Sequence, residues 1–397
     1  MKISFSPPDI SEREIELVSE AMRSGWITTG PKTKQFENML AEYIGTKRVA
    51  CLNSATAAME LSLRILGIGD GDEVITSAYT YTASASVIAH VGASIVLVDV
   101  APGSYLINPE ALEAAITPRT KAIIPVDIAG VPADYDAIRA VVESRSGIFR
   151  ASSEPQQGLG RAAIVGDAAH SLGAQYKGES AARCCDICCY SFHAVKNLTT
   201  AEGGAAAFGD VGGVGADEIY RRFMLGSLHG QSKDALAKTQ IGSWEYDILS
   251  PAYKANMTDI SAAMGIGQLE RYPAMLNRRM ELVAHYNARF EGTRVHPLAH
   301  TGSDYISSHH LYLTEIDGLD VEKRSAVVER LARDRIAANL PYNPVPMNNA
   351  YPKLGFDIAD FPNAYDMYSR EITLPLHTLL TDEQVDYVAD SLLRAIG

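Results

Sequence analysis

Residues 121–167 read KAIIPVDIAGVPADYDAIRAVVESRSGIFRASSEPQQGLGRAAIVGD. Two short apolar runs, AIIPV and AAIVGD, are each bounded by turn residues, with a helical segment, DYDAIRAVVES, between them. Continuous apolar runs of that length suit strands buried on both faces, and hence a mostly parallel sheet covered by helices. Between that helix and the second strand lies SGIFRASSEPQQGLG, 146–160, rich in Gly, Ser, Pro and Gln. It reads as a surface excursion, ordered or mobile.

Toward the N-terminus the same alternation continues. TAAMELSLRIL (56–66) reads as helix, DEVITSA (72–78) as strand, SASVIAHVG (84–92) as helix, SIVLVDV (94–100) as strand and NPEALEAAI (108–116) as helix. Repeated βα units predict a three-layer α/β/α domain. Before them, EREIELVSEAMRS (12–24) carries Ile15, Val18 and Met22 at helical spacing, with Gly25 as its stop. KTKQFENMLAEYIG (32–45) repeats the pattern with Phe36, Leu40 and Tyr43.

Past residue 250 the texture changes to a long helical stretch reaching Phe290, with Pro273 expected to bend or break it. A smaller α/β part follows: HHLYLTEI (309–316) as strand, EKRSAVVERLARD (322–334) as helix and IAANLPY (336–342) as strand. The last helix opens with Thr381 and Gln384 in capping-box spacing and shows Val385, Val388 and Leu392 on one face. The expected division is a large α/β domain over 1–250 and a small C-terminal α/β domain over 251–397.

The chain has 397 residues, 47% of them hydrophobic and 21% charged, which excludes a chain-wide disordered or collagenous reading. Net charge is −13 and no basic patch stands out, so neither a nucleic acid nor an anionic membrane is the expected partner. No apolar run reaches the ~18 residues of a membrane span. The start, MKISFSPPDISERE, lacks the apolar core of a secretory signal. Four of the five cysteines, Cys184, Cys185, Cys188 and Cys189, fall in one hexapeptide. A zinc site would need a second Cys/His cluster at ligand spacing, and none follows, so no metal is expected and the run reads as part of a buried strand. Thiols of this kind suit a reducing cytoplasm.

The chemistry concentrates in 163–204. Asp167 falls at the C-terminal end of a buried strand, the edge where open α/β sheets bind ligands. Lys196 follows the strand ICCYSF, among small and hydroxyl residues, with Gly203-Gly204 beyond. A lysine with an aspartate one strand away is what pyridoxal 5'-phosphate chemistry needs: an amine to form the Schiff base and a carboxylate to hold the pyridine nitrogen protonated. On the residues alone, a solvated loop lysine and a helix-capping aspartate remain open.

DAAHSLGAQYKG followed by SFHAVKNLTTAEGG resembles the signature of the DegT/DnrJ/StrS family of pyridoxal-phosphate-dependent sugar aminotransferases, fold-type I enzymes related to aspartate aminotransferase. Further blocks resemble the family in order: SGWITTGP (24–31), GIGDGDEVITSAYTYTASA (67–85), ITPRTKAIIPV (116–126), YKANMTDISAAMGIGQLER (253–271), SREITLPLH (369–377) and LTDEQVDYV (380–388). The resemblance implies the type I fold, with Lys196 as the Schiff-base lysine, Asp167 on the pyridine nitrogen and His170 beside the ring. Ser191, Thr56 and Ala57 would hold the phosphate, and Tyr81 would stack on the ring. A helix N-terminus at Thr56 suits an anion on physical grounds as well. Lys254 and Asn256 correspond to a block that reaches a partner's cofactor phosphate, so a homodimer with shared active sites is implied. Thr28, Thr29 and Gly30 would border the sugar-nucleotide site.

The implied reaction moves an amino group from L-glutamate to a nucleotide-linked keto sugar, in making amino sugars for surface polysaccharide or natural products. One departure concerns Pro341, which stands where many members have a histidine. A proline offers only apolar contact, which directs the expectation to a less polar sugar face, such as a 4-keto-6-deoxy hexose. A cyclitol ketone, or a non-catalytic regulator on the same scaffold, are the competing readings. Retention of Lys196 and Asp167 speaks against the regulator, and Lys196 against the family's dehydratases, which carry histidine there. No G-x-G-x-x-G fingerprint of a dinucleotide fold is present.

Overall fold

The computed structural model describes residues 1–232 and 246–397. Its centre is a seven-stranded sheet: β1 (Arg48–Leu52), β2 (Glu73–Ser77), β3 (Ser94–Val98), β4 (Thr120–Ile124), β5 (Ala163–Asp167), β6 (Ile187–Ser191) and β7 (Gly204–Phe208), in the spatial order β1-β7-β6-β5-β4-β2-β3. The run β6-β5-β4-β2-β3 is parallel throughout, and β7 lies antiparallel between β6 and β1. β2, β4, β5 and β7 are buried at every position, as their apolar runs require.

Helices lie on both faces. Ala55–Ile65 packs over β6 and β7 through Ala58, Leu61 and Met59, which join Cys189, Ala206 and Phe208 in one core. On the other face, Phe36 and Leu40 meet Cys188, Ala205 and Ala207. The alanines of β7 let both layers approach closely. At Gly204 a Cβ would lie 2.2 Å from the carbonyl carbon of Ser54, so only glycine fits under the start of the helix Ala55–Ile65.

A second, antiparallel sheet holds β8 (Val295–Pro297), β9 (Tyr312–Ile316) and β10 (Glu371–Leu374), with β9 central. The two sheets are linked by one continuous helix, Asp259–Phe290, of 32 residues. Its first half places Ala262, Ile266, Leu269 and Tyr272 in the core of the large sheet. Its second half places Leu282, Val283, Tyr286 and Phe290 against the small sheet and the helix Asp382–Ile396. Pro273 lies inside this helix without breaking it. The buried side chains of Leu269, Tyr272 and Met275 on the helix's inner face, and Tyr272 Oη donating to Leu172 O at 2.9 Å, hold the turn that lacks one amide.

Two other expectations are corrected. The helix Glu12–Arg23 turns Glu14, Leu17 and Ala21 inward, while Ile15 and Met22 are exposed. The reason is polar: Glu14 Oε1 accepts from Gln268 Nε2 at 2.7 Å and Arg271 Nε at 2.8 Å, and Gly267 leaves room for the close approach. The stretch 336–342 is no regular strand. Its backbone pairs with β10 only at Asn339, which exchanges two backbone bonds with Thr373, and Pro341 has no amide to continue the ladder. The excursion 146–160 is ordered, with a turn at Ser146–Ile148 and a short helix Glu154–Leu159. Ser153 Oγ and Gln156 Nε2 both donate to Leu66 O, at 2.6 and 2.8 Å, tying it to the end of the helix Ala55–Ile65.

Of the cysteine run, Cys188 and Cys189 are buried in β6, while Cys184 ends the turn Ala181–Cys184 and Cys185 follows it ahead of the strand; all five thiols are free. Among the described residues no group of three His, Cys, Asp or Glu could hold a metal, and no helix is long and apolar enough to cross a membrane.

Candidate active site

The parallel strands deliver Asp167 and Ser191 to one edge, as the last residues of β5 and β6. Lys196 lies in the loop after β6, its amide bonded to His193 O at 2.9 Å. A cavity of about 320 Å³ opens there, lined by Thr56, Tyr81, Asp167, His170, Ser191 and Lys196, together with Tyr342 from the loop beyond residue 340. Six positions named from the sequence therefore share one cavity. Ala57 stands one residue behind its wall.

Asp167 is buried, and burial pushes its carboxyl above the ordinary value. Three things oppose this: Ser84 Oγ donates to Oδ2 at 2.6 Å, the Ala169 amide donates to Oδ1 at 3.1 Å, and the Lys196 charge is near. Ser84 Oγ also accepts from Thr80 Oγ1 at 2.8 Å, so a hydroxyl relay is aimed at the carboxylate. Lys196 is lowered to about 8 by burial, with Asp167 holding it up. A lysine so placed exchanges its proton near neutral pH. His170 is kept neutral by burial and by the Lys196 charge. Its Nδ1 accepts from the Ala129 amide at 3.2 Å, so its proton sits on Nε2, which faces Tyr342 Oη at 3.0 Å.

At the other end of the cavity begins the helix Ala55–Ile65. Ser54 caps it, accepting from the Ala57 amide at 3.0 Å, and Thr56 faces the cavity. Unpaired first-turn amides and the helix dipole favour an anion here. An amine of lowered basicity, a buried carboxylate and a helix N-terminus within one cavity are the donor set that pyridoxal phosphate requires.

Residues 8–393 match the DegT/DnrJ/EryC1/StrS aminotransferase family. The chain belongs to this family. The aminotransferase is 37% identical over 395 residues to the spore coat polysaccharide biosynthesis protein SpsC of Bacillus subtilis, covering 98% of this chain and 96% of that one. Its fold is similar to that of Spr1654 from Streptococcus pneumoniae in its PMP form, described as a sugar aminotransferase, with TM-score 0.97, 51% identity and coverage of 100% and 99%. Helicobacter pylori PseC, an aminotransferase involved in the biosynthesis of pseudoaminic acid, matches with TM-score 0.88, 28% identity and coverage of 100% and 99%. The protein is thus a pyridoxal-phosphate-dependent aminotransferase of the sugar aminotransferase group.

The remaining sequence-derived positions form a second cluster of the aminotransferase. Asn256 Nδ2 donates to Thr29 Oγ1 at 2.5 Å, Thr29 Oγ1 donates to Met257 O at 2.6 Å, and Lys254 Nζ pairs with Asn256 Oδ1. Gly30 donates its amide to Asp259 Oδ1 at 2.8 Å, which fixes the 28–30 loop at the start of the long helix. Thr28, Thr29, Gly30, Lys254 and Asn256 do not line the cavity of their own chain.

Pro341 is also absent from the cavity wall: it is buried, and its carbonyl accepts from Tyr79 Oη at 3.3 Å. The residue that enters is Tyr342, whose ring stands 5.3 Å from Tyr81 and 5.9 Å from His170. The apolar sugar face expected from Pro341 loses its footing, because a phenol stands there instead. Tyr342, Ser84 and Thr80 were not found from the sequence. Ser84 carried a signal, since it lies in the quoted block 67–85, on the first turn of the helix Thr82–His90. Tyr342 carried none.

Proposed function

We propose that this aminotransferase moves the amino group of L-glutamate to the keto group of a nucleotide-linked sugar, in a cytoplasmic route to amino sugars. The observation that carries the reading is the Lys196–Asp167 pair in one cavity beside a helix N-terminus. The relatives support the sugar: the name of SpsC refers to spore coat polysaccharide, that of PseC to pseudoaminic acid.

Bound pyridoxal phosphate supplies a carbonyl that takes up the amino group and a ring that accepts an electron pair. The chain's own groups then have these tasks. Lys196 would hold the cofactor through its Nζ and, with its basicity lowered to about 8 by burial, would take up and return protons at Nζ as general base and acid. Asp167, whose carboxylate form Ser84 and the Ala169 amide favour against burial, would hold the proton on the pyridine nitrogen. His170 and Tyr81 border the ring, while Thr56, Ala57 and Ser191 take the phosphate. Lys254 and Asn256 serve the phosphate of a partner subunit in a homodimer, which accounts for their place outside their own cavity. Thr28, Thr29 and Gly30 border the sugar nucleotide.

The test has two arms. Borohydride reduction and peptide mapping should place the cofactor adduct on Lys196, and an adduct on another lysine overturns the site. Mass spectrometry with L-glutamate and a panel of nucleotide-linked keto sugars should show an amino sugar. Amination of cyclitol ketones alone overturns the substrate class.

A further inference from the structure

Behind Lys196 four separate stretches of chain meet, and one of them, 307–310, leads directly into β9, the central strand of the small sheet. The contact is made by Asn197, the residue after the lysine, which is buried. Its Nδ2 donates to Ser308 O at 2.7 Å, which fixes the amide and turns Oδ1 toward His310 Nδ1 at 2.9 Å. His310 therefore carries its proton on Nδ1. Its ring lies 4.4 Å from that of His170. Both histidines hang on one residue: Ala129 donates its amide to His170 Nδ1 at 3.2 Å and accepts from the His310 amide at 3.0 Å. Arg279, buried in the long helix, clamps the segment from behind, donating to His309 O, His310 O and Leu376 O at 3.3, 3.2 and 3.1 Å.

We propose that His310 is a positioning residue for Lys196, acting through the hydrogen bond to Asn197 and the ring packed on His170. The inference rests on the assignment of Lys196 to the cofactor. It ties the orientation of the amine to both sheets: the loop after β6 is anchored by a side chain from the segment that leads into the small sheet. The charged and titratable groups facing His310 are His170, Lys196, Arg279 and His300, and with burial they keep its imidazole neutral. A neutral ring with a fixed tautomer offers a donor of constant direction to Asn197 across the working pH range. A histidine that merely filled the core would stabilise the fold without any effect on the lysine.

The experiment compares His310→Phe, which keeps a ring against His170 but removes the donor, with His310→Asn, whose amide N–H can stand in for Nδ1–H, and with Asn197→Ala. In each purified holoenzyme the pH midpoint of the bound cofactor's absorbance change is measured, along with kcat and KM for L-glutamate. Loss of a hydrogen bond of ordinary net strength corresponds to a midpoint shift of about half a unit to one unit. His310→Phe and Asn197→Ala should each show that shift and a fall in kcat of about 5- to 100-fold, with KM within about 3-fold. The double variant should be no worse than the worse single, because both remove one interaction. His310→Asn should recover most of the loss. If His310→Phe does not fold, Asn197→Ala and His310→Asn still decide the matter through the midpoint. An unmoved midpoint and kcat in folded variants, or losses that multiply in the double variant, overturn the proposal. Borohydride mapping of the wild type decides the underlying assignment separately, and an adduct away from Lys196 overturns both.

Discussion

Ser84→Ala removes the hydroxyl that donates to Asp167 Oδ2 at 2.6 Å. The carboxyl is buried and already sits above its ordinary value because of that burial. A hydrogen bond to a charged group is worth about 1.5–3 kcal/mol. At 1.36 kcal/mol per unit, its loss moves the Asp167 pKa further up by about 1–2 units. The remaining partner, the Ala169 amide at 3.1 Å, is the longer bond and stays. The direction follows from which form is stabilised: the hydroxyl favours the carboxylate, so without it the neutral acid persists to higher pH. The acid limb of kcat/KM for the amino donor should therefore move up by about 1–2 units, with smaller losses above pH 8. The assay is the first half-reaction, followed by the absorbance of the bound cofactor from pH 5 to 9, with thermal unfolding as a control. An acid limb that moves by less than about 0.3 unit, in a variant that folds normally, would refute the role given to the relay.

Asp167→Asn should lower kcat by about 10²–10³-fold, because an amide cannot hold the pyridinium charge. The cofactor-free variant should melt no lower than wild type, since a buried ionisable group is removed; a large drop in Tm would show a structural role instead. Glu371 is buried, with Oε2 unpartnered, and burial pushes its carboxyl up to about 8 from an ordinary 4.5. A raised carboxyl contributes stability that is complete below the ordinary value and is lost as pH rises through about 8. Denaturant unfolding at pH 5 and pH 9 should therefore show Glu371→Gln gaining on wild type at the higher pH, by no more than about 1.4 kcal/mol per unit. Equal gaps at both pH values would contradict it. Mixing Lys196→Ala chains with Lys254→Ala/Asn256→Ala chains should restore part of the lost activity after subunit exchange, and no recovery would remove the shared site.

The sheet was legible because β3, β4 and β5 carry apolar runs punctuated by turns, as strands buried between helices do. β7 was not, since GAAAF carries little strand propensity and exists to let helices approach. The inward face of Glu12–Arg23 was misread because a paired carboxylate, not apolar spacing, chooses it. Of the site, the groups named from local motifs came together where expected: Lys196, Asp167, His170 and Thr56 share one cavity. The positions that reach it through long-range packing could not be read. Tyr342 is 172 residues from its partner His170, and His310 is 113 from Asn197. No spacing in a single sequence encodes such pairings.

The helix Asp259–Phe290 is about 48 Å long at 1.5 Å per residue. At its N-terminal end the Asp259 carboxylate takes the amides of Gly30, Lys32 and Thr33, at 2.8, 3.0 and 2.9 Å. At its other end Phe290 lies in the core of the small sheet. Opening either core removes a wall from the other, so the chain has no half that can melt by itself at low free energy. Amide hydrogens in the turns around Pro273 should therefore exchange only with global unfolding, as one cooperative unit, while the ends of the shorter surface helices fray independently.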